Sequence, residues 1–255
     1  MPPSPAVRAS STRCQYDTQA AITARRPAAR LYETRPDRLG FGLDFSAVDV
    51  GHLARSGITD LWPRTTPDTF DDLTRRIQGA GEEITVFGLT RNFYARDNVL
   101  PLFEAKARRI PVTFYVMDPW CDSRRDRYRI EPGEAAMEDP HRYAREILRP
   151  LQLTAERVEP EVPGAGLRIF TYNFPCSFAM EKTDRTCRVM TYGHGKRGTD
   201  GPILVFSEGT PFWDYYNDQL DWLARLATEP REPWLSKGIE VRPLSEALLA
   251  GGSAT

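Results

Sequence analysis

The chain has little of what would place it quickly. No run of about 18 apolar residues occurs in its 255, so a membrane-spanning helix is not expected. Residues 1–30 hold no apolar core of the kind a secretory signal needs. Only three histidines occur, and the four cysteines (Cys14, Cys121, Cys176, Cys187) show no CxxC spacing, so neither a structural metal site nor a cofactor is expected. A formal net charge of −1 gives no general attraction to nucleic acid or to membrane. These absences together read as a cytoplasmic protein with reduced thiols.

The clearest signal that is present lies at 84–119. An apolar run (Ile84–Leu89) leads through a polar turn and an amphipathic segment to a second run (Val112–Met117). Short apolar runs flanking a helix-period segment indicate two parallel strands joined by a crossover helix. Leu167–Tyr172 is a third such strand, again reached through a helix that begins at Asp139-Pro140 and carries Pro150 as a kink. Phe178–Lys182 and Thr186–Tyr192 read as an antiparallel hairpin around Asp184-Arg185, and Ile203–Phe206 as a further strand. Thr66-Pro67-Asp68 and Thr210-Pro211 open helices, the second long, with Tyr216, Leu220 and Leu223 on one stripe. Ser46–Ser56 reads as a short helix, residues 120–138 as a charged loop, Ile239–Val241 as a short strand, and Ser245 as the cap of a last helix. The fold class is α/β: a mixed, mainly parallel sheet flanked by helices.

Three segments follow from composition. Residues 1–45 hold few large apolar residues, and five arginines against one acid, Asp17, lie in residues 1–30. A disordered tail is the plain reading; an organellar targeting peptide or a basic arm on nucleic acid are the alternatives. Residues 46–229 form the α/β domain and 230–255 a C-terminal extension.

Several stretches resemble the phospholipase D superfamily. Gly57-Ile58-Thr59-Asp60-Leu61-Trp62-Pro63-Arg64 is similar to the opening of bacterial phospholipase D-like proteins, and Phe87-Gly88-Leu89 with Val116-Met117-Asp118-Pro119 to their first two strands. Arg168, Thr171, Ser177-Phe178, Asp184, Tyr192-Gly193, Pro202-Ile203-Leu204 and the Tyr215-Tyr216 to Trp222 helix resemble the subgroup attached to bacterial helix-turn-helix regulators. The resemblance covers roughly residues 57–228 and implies one half of that fold, completed in a homodimer. It also implies a phosphate-bearing small molecule or nucleotide as ligand, with phosphodiester hydrolysis or group transfer as the activity. The family's His-x-Lys-x4-Asp motif departs here. His194-Gly195-Lys196 is followed by Asp200 after three residues, in the loop GHGKRGTDG, and Ser177 stands where hydrophobic order would put the histidine.

The candidate catalytic residues are therefore His194, Lys196 and Asp118. In open α/β sheets the ligand crevice lies beyond the carboxyl ends of the strands. That places Thr90, Arg91 and Asn92, Asn173, and Ser177 as ligand-binding candidates, joined by Lys182 and Asp184 from the hairpin. Gly193, Gly195 and Gly198 match G-x-G-x-x-G in spacing only, because a hairpin strand precedes them and no helix follows. Cys121 and Cys176 follow strand ends and read as bland thiols, since no histidine adjoins either in sequence. Two functions stay open: an enzyme of phosphodiester chemistry, and a non-catalytic ligand sensor or interaction module of a bacterial regulatory system. Membrane is not an expected partner. Nucleic acid would enter only through the arginine-rich arm.

Overall fold

The computed structural model describes residues 50–89, 92–95, 99–131, 139–164, 166–229 and 238–252. The tail at 1–45, Thr90, Arg91 and residues 132–138 of the charged segment lie outside the described residues. The elements run α1 (Val50–Ser56), β1 (Ile58–Trp62), α2 (Pro67–Gly79), β2 (Ile84–Gly88), a 3₁₀ turn (Asn92–Ala95), α3 (Leu100–Ala107) and β3 (Val112–Met117). Next come α4 (Asp122–Ile130), α5 (Pro140–Tyr143), a π turn (Ala144–Leu148), α6 (Arg149–Val158), β4 (Leu167–Tyr172), β5 (Phe178–Thr183) and β6 (Thr186–Thr191). A 3₁₀ turn (Gly198–Asp200), β7 (Ile203–Ser207), α7 (Pro211–Thr228), β8 (Val241–Pro243) and α8 (Leu244–Gly252) complete it.

All eight strands form one sheet in the order β1-β7-β6-β5-β2-β3-β4-β8. Parallel pairing is confined to β2–β3 and β3–β4, and the other five pairings are antiparallel. The sheet is thus mixed and flanked by helices as expected, with a larger antiparallel share than the sequence suggests. Every residue of β2 and β3 is buried. That is what a strand covered by helices on both faces requires, and it explains their unbroken apolar runs. On one face Phe103 of α3 meets Phe114 edge-on at 5.0 Å, with Tyr94 beside both. On the other, Phe178 and Phe206 pack on Tyr216 of α7.

Local chemistry sets the boundaries. Thr69 Oγ1 accepts from the Thr66 N–H at 2.9 Å, which satisfies a donor just before α2, and Pro67 sits where its missing N–H costs nothing. The kink expected at Pro150 appears as the π turn just before it, because proline's ring and absent N–H displace the regular i→i−4 ladder. Gly57 has φ +76°, and a Cβ there would lie 2.1 Å from Thr210 Oγ1. Glycine is the residue that lets β1 start against the first turn of α7.

Two expectations need correction. Residues 120–138 do not begin as a loop: Asp122–Ile130 is helix α4. Its sequence lacks an apolar stripe but carries Asp122–Arg125, Asp126–Arg129 and Arg127–Glu131 pairs at helical spacing. Arg124, 1% exposed, lies between the rings of Tyr128 and Tyr143 at 4.7 and 4.5 Å. The C-terminal extension, second, is part of the sheet. Its strand is Val241–Pro243 rather than Ile239–Val241, and it pairs with β4 as the edge.

Candidate functional site

The parallel strands β3 and β4 end side by side, and a cleft of about 480 Å³ opens beyond them. Trp120, Cys121, Asp122 and Ser123 line it from the start of α4, and Asn173, Phe174 and Pro175 from the end of β4. Gly238 and Ile239 close it from the segment before β8.

Each wall is held by specific contacts. Asp118, 4% exposed, accepts the Trp120 N–H at 2.8 Å through Oδ1. Its Oδ2 pairs with Arg242 of β8 at 2.7 Å. Asn173 donates to the Gly238 carbonyl, accepts the Glu240 N–H at 3.0 Å, and through its own carbonyl takes the Ser123 hydroxyl at 3.1 Å. Phe174 rests on Tyr172 and Trp222, and Trp120 meets His141 edge-on at 4.8 Å. Asp118 and Asn173 therefore fasten the C-terminal segment to the parallel strands and shape the cleft from behind.

The two thiols that follow the strand ends are both occupied or held protonated. Burial pushes Cys121 up to about 11, so it stays protonated near neutral pH. Cys176 spends its S–H on the Phe178 carbonyl at 2.8 Å.

The other described candidates go to four places. His194 and Lys196 lie exposed in the loop after β6. That loop is fastened to the far half of α4: Arg127 donates to the Gly193 carbonyl at 2.9 Å and the Lys196 carbonyl at 3.4 Å, and the Gly198 N–H reaches Glu131 at 3.0 Å. Arg127 and Glu131 pair at 2.8 Å with side chains 10% and 6% exposed. The cleft adjoins Asp122 and Ser123, so the loop attaches roughly 7–13 Å farther along the helix axis at 1.5 Å per residue. Among the described residues no hydrogen bond or ion pair joins His194 or Lys196 to Asp118. Ser177 is exposed ahead of β5, where its carbonyl accepts the Tyr192 N–H at 2.8 Å. Asn92 opens the 3₁₀ turn after β2.

Lys182 and Asp184 do not belong to this end. β5 runs against β2, with Lys182 opposite Thr85 and Thr183 opposite Ile84, at the start of β2 rather than its finish. Five residues of strand separate Lys182 from Ser177, about 17 Å. Lys182 pairs with Glu83 at 2.6 Å. Asp184, at φ 49°, accepts the N–H groups of Gly81, Glu82 and Glu83 at 2.9, 2.8 and 3.0 Å. Burial alone would raise its carboxyl, but those three donors outweigh it and hold the group below its ordinary value. The single crevice expected from sequence is thus divided between the two ends of the sheet.

Among the described residues no group of three or more His, Cys, Asp or Glu stands close enough to hold a metal ion, and no helix is long and apolar enough to cross a membrane.

Sequence reasoning missed Arg242, which neutralises Asp118, and the Arg127–Glu131 clamp. The first carried no signal, because 124 residues separate the partners. The second was readable as charge pairs four apart.

No known family model matches the chain, and no curated relative does. A solved structure of TrmBL2, described as an archaeal chromatin protein with a novel mode of DNA binding, aligns at TM-score 0.40 and 8% identity over 65% of this chain. The aligned part spans 53% of that chain, so about half its length is matched. A likeness of that size carries no argument about fold or function.

Proposed function

We propose that the chain is a ligand-binding sensor or interaction module, similar in order to one phospholipase D-like half, without phosphohistidine chemistry. Its ligand is a phosphate-bearing small molecule or nucleotide that enters the cleft beyond β3 and β4. The observation that carries this reading is the cleft itself. At about 480 Å³ it falls within the range of small-molecule sites, and it opens at the strand ends where α/β sheets bind ligands. Trp120 and Phe174 offer apolar surface for a planar group. The first turn of α4 adds backbone N–H groups suited to an anionic end.

Hydrolysis lacks comparable support. Its nucleophile would be His194, which is exposed and tied, through its loop, to the other end of α4. Pairing into a homodimer remains part of the reading by resemblance alone, and sedimentation tests it.

Titration with nucleoside mono- and diphosphates tests the binding, followed by heat unfolding and by product analysis of the same samples. Saturable protection without turnover is expected, retained in His194→Ala and abolished in Ser123→Arg, which fills the cleft. Turnover that disappears in His194→Ala would overturn the reading in favour of an enzyme.

A further inference from the structure

The amino ends of the central strands carry a second, smaller cavity of about 150 Å³ beneath α7. Its floor is a transverse row across four strands. Lys182 of β5 lies opposite Thr85 of β2, Thr85 beside Thr113 of β3, and Thr113 beside Arg168 of β4. Two hydroxyls between two cations occupy a sheet face that is apolar one row further along. There Met180, Phe87, Tyr115 and Phe170 stand in register, and the last two rings stack at 5.5 Å. Tyr115 borders the cavity, and Leu220, Asp221 and Ala224 of α7 roof it.

Burying hydroxyls on a face that could be apolar costs free energy unless they find partners. Thr85 is 9% exposed and Thr113 5%, and Thr113 Oγ1 takes the Arg168 guanidinium at 3.1 Å. The charges are unevenly matched. Lys182 is paired with Glu83, and Asp221 is held by the Asn217 amide at 3.1 Å. Among the described residues no carboxylate lies within ion-pair distance of Arg168. The lining thus carries two cations and two carboxylates, and of the cations Arg168 is the one with no carboxylate within ion-pair distance, with hydroxyl groups beside it. Burial pushes Tyr115 up to about 12, so its phenol remains a donor at neutral pH.

We propose that this cavity is a second ligand site, separate from the carboxyl-end cleft, in which a small oxyanion is held by the Arg168 guanidinium and the hydroxyls of Thr85, Thr113 and Tyr115. A planar guanidinium flanked by hydroxyls suits a carboxylate or a phosphate equally. A cavity of about 150 Å³ holds a molecule of roughly benzene's size, which limits the ligand to a small anion rather than a whole nucleotide. The site sits where the parallel and antiparallel parts of the sheet join, under the helix that also carries Trp222 against the cleft.

Calorimetric titration of the full chain with oxalate and with inorganic phosphate, at constant ionic strength, tests this. The intact protein should bind at least one of the two saturably, and the preferred anion separates a carboxylate source from a phosphate source. Arg168→Gln, at an exposed position that leaves the core untouched, should weaken binding at least tenfold, and the near-isosteric Thr113→Val several-fold. Ser123→Arg, in the other cleft, should leave the affinity unchanged. Three results would overturn the proposal: no saturable binding of either anion at millimolar concentration, unchanged affinity in Arg168→Gln, or loss of binding in Ser123→Arg.

Discussion

The two ends of the central sheet put the same residue type to the same structural use beside openings of different size. At the carboxyl ends, Asp118 is buried and spent on Arg242 and on the Trp120 N–H, and a wide cleft opens in front of it. At the amino ends, Asp184 is spent on three N–H groups of the loop before β2, and a narrow polar cavity lies close by, around Lys182 and Arg168. An aspartate at a strand end or hairpin tip looks the same in sequence whether it binds substrate or closes a loop. Here both close loops, and on the proposed reading the ligand-facing surface is left to aromatic, hydroxyl and backbone groups at one end and to the Arg168 guanidinium with the hydroxyls beside it at the other.

The largest expected effect is at the carboxyl end. Asp118→Ala would leave Arg242 without its main partner in a partly buried position and strip the Trp120 N–H of its acceptor. A loss of about 2–3 kcal/mol is expected in urea unfolding, less than for a fully buried pair because Arg242 keeps some contact with water. Unchanged stability would mean that Asp118 is held for chemistry rather than for structure.

At the amino end Asp184→Ala should cost about 1–2 kcal/mol, since the bonds it loses are exposed to solvent on one side and alanine must also adopt φ 49°. The pH dependence has a definite sign. The folded carboxyl titrates below its unfolded value, so its stabilisation is present above the ordinary aspartate range and is lost as pH falls through the folded pKa. The stability gap between the intact protein and Asp184→Asn should therefore narrow as the medium is acidified below about pH 4. A gap that widens would mean the loop N–H groups do not hold the ionised form. The smallest effect belongs to His194→Ala, which removes an exposed side chain and should stay within about 0.5 kcal/mol of the intact protein.

Much of the fold was legible because the central strands are covered on both faces and read as unbroken apolar runs, and because Thr-Pro pairs mark the starts of α2 and α7. Helix α4 was hidden, since its buried face is built from Arg124 and Tyr128 rather than from aliphatic residues. The antiparallel share of the sheet was hidden too. Whether β5 pairs with β2, and β1 with β7, depends on packing between distant segments that no local pattern encodes. The site followed the same division. The strand ends at Asp118 and Asn173, singled out in the sequence, lie where the cleft beyond β3 and β4 opens. The row Lys182–Thr85–Thr113–Arg168 exists only through strand register, with its members spread over 98 positions, and Lys182 was consequently assigned to the wrong end.

The most direct test of the central claim is a crystal structure of the protein soaked in separate experiments with a nucleotide and with vanadate. The account predicts nucleotide density in the cleft against Trp120 and Phe174, with His194 in solvent and no vanadium near its ring. Vanadium bonded to the His194 imidazole nitrogen, with Lys196 closing on its oxygens, would contradict the account and restore phosphohistidine chemistry.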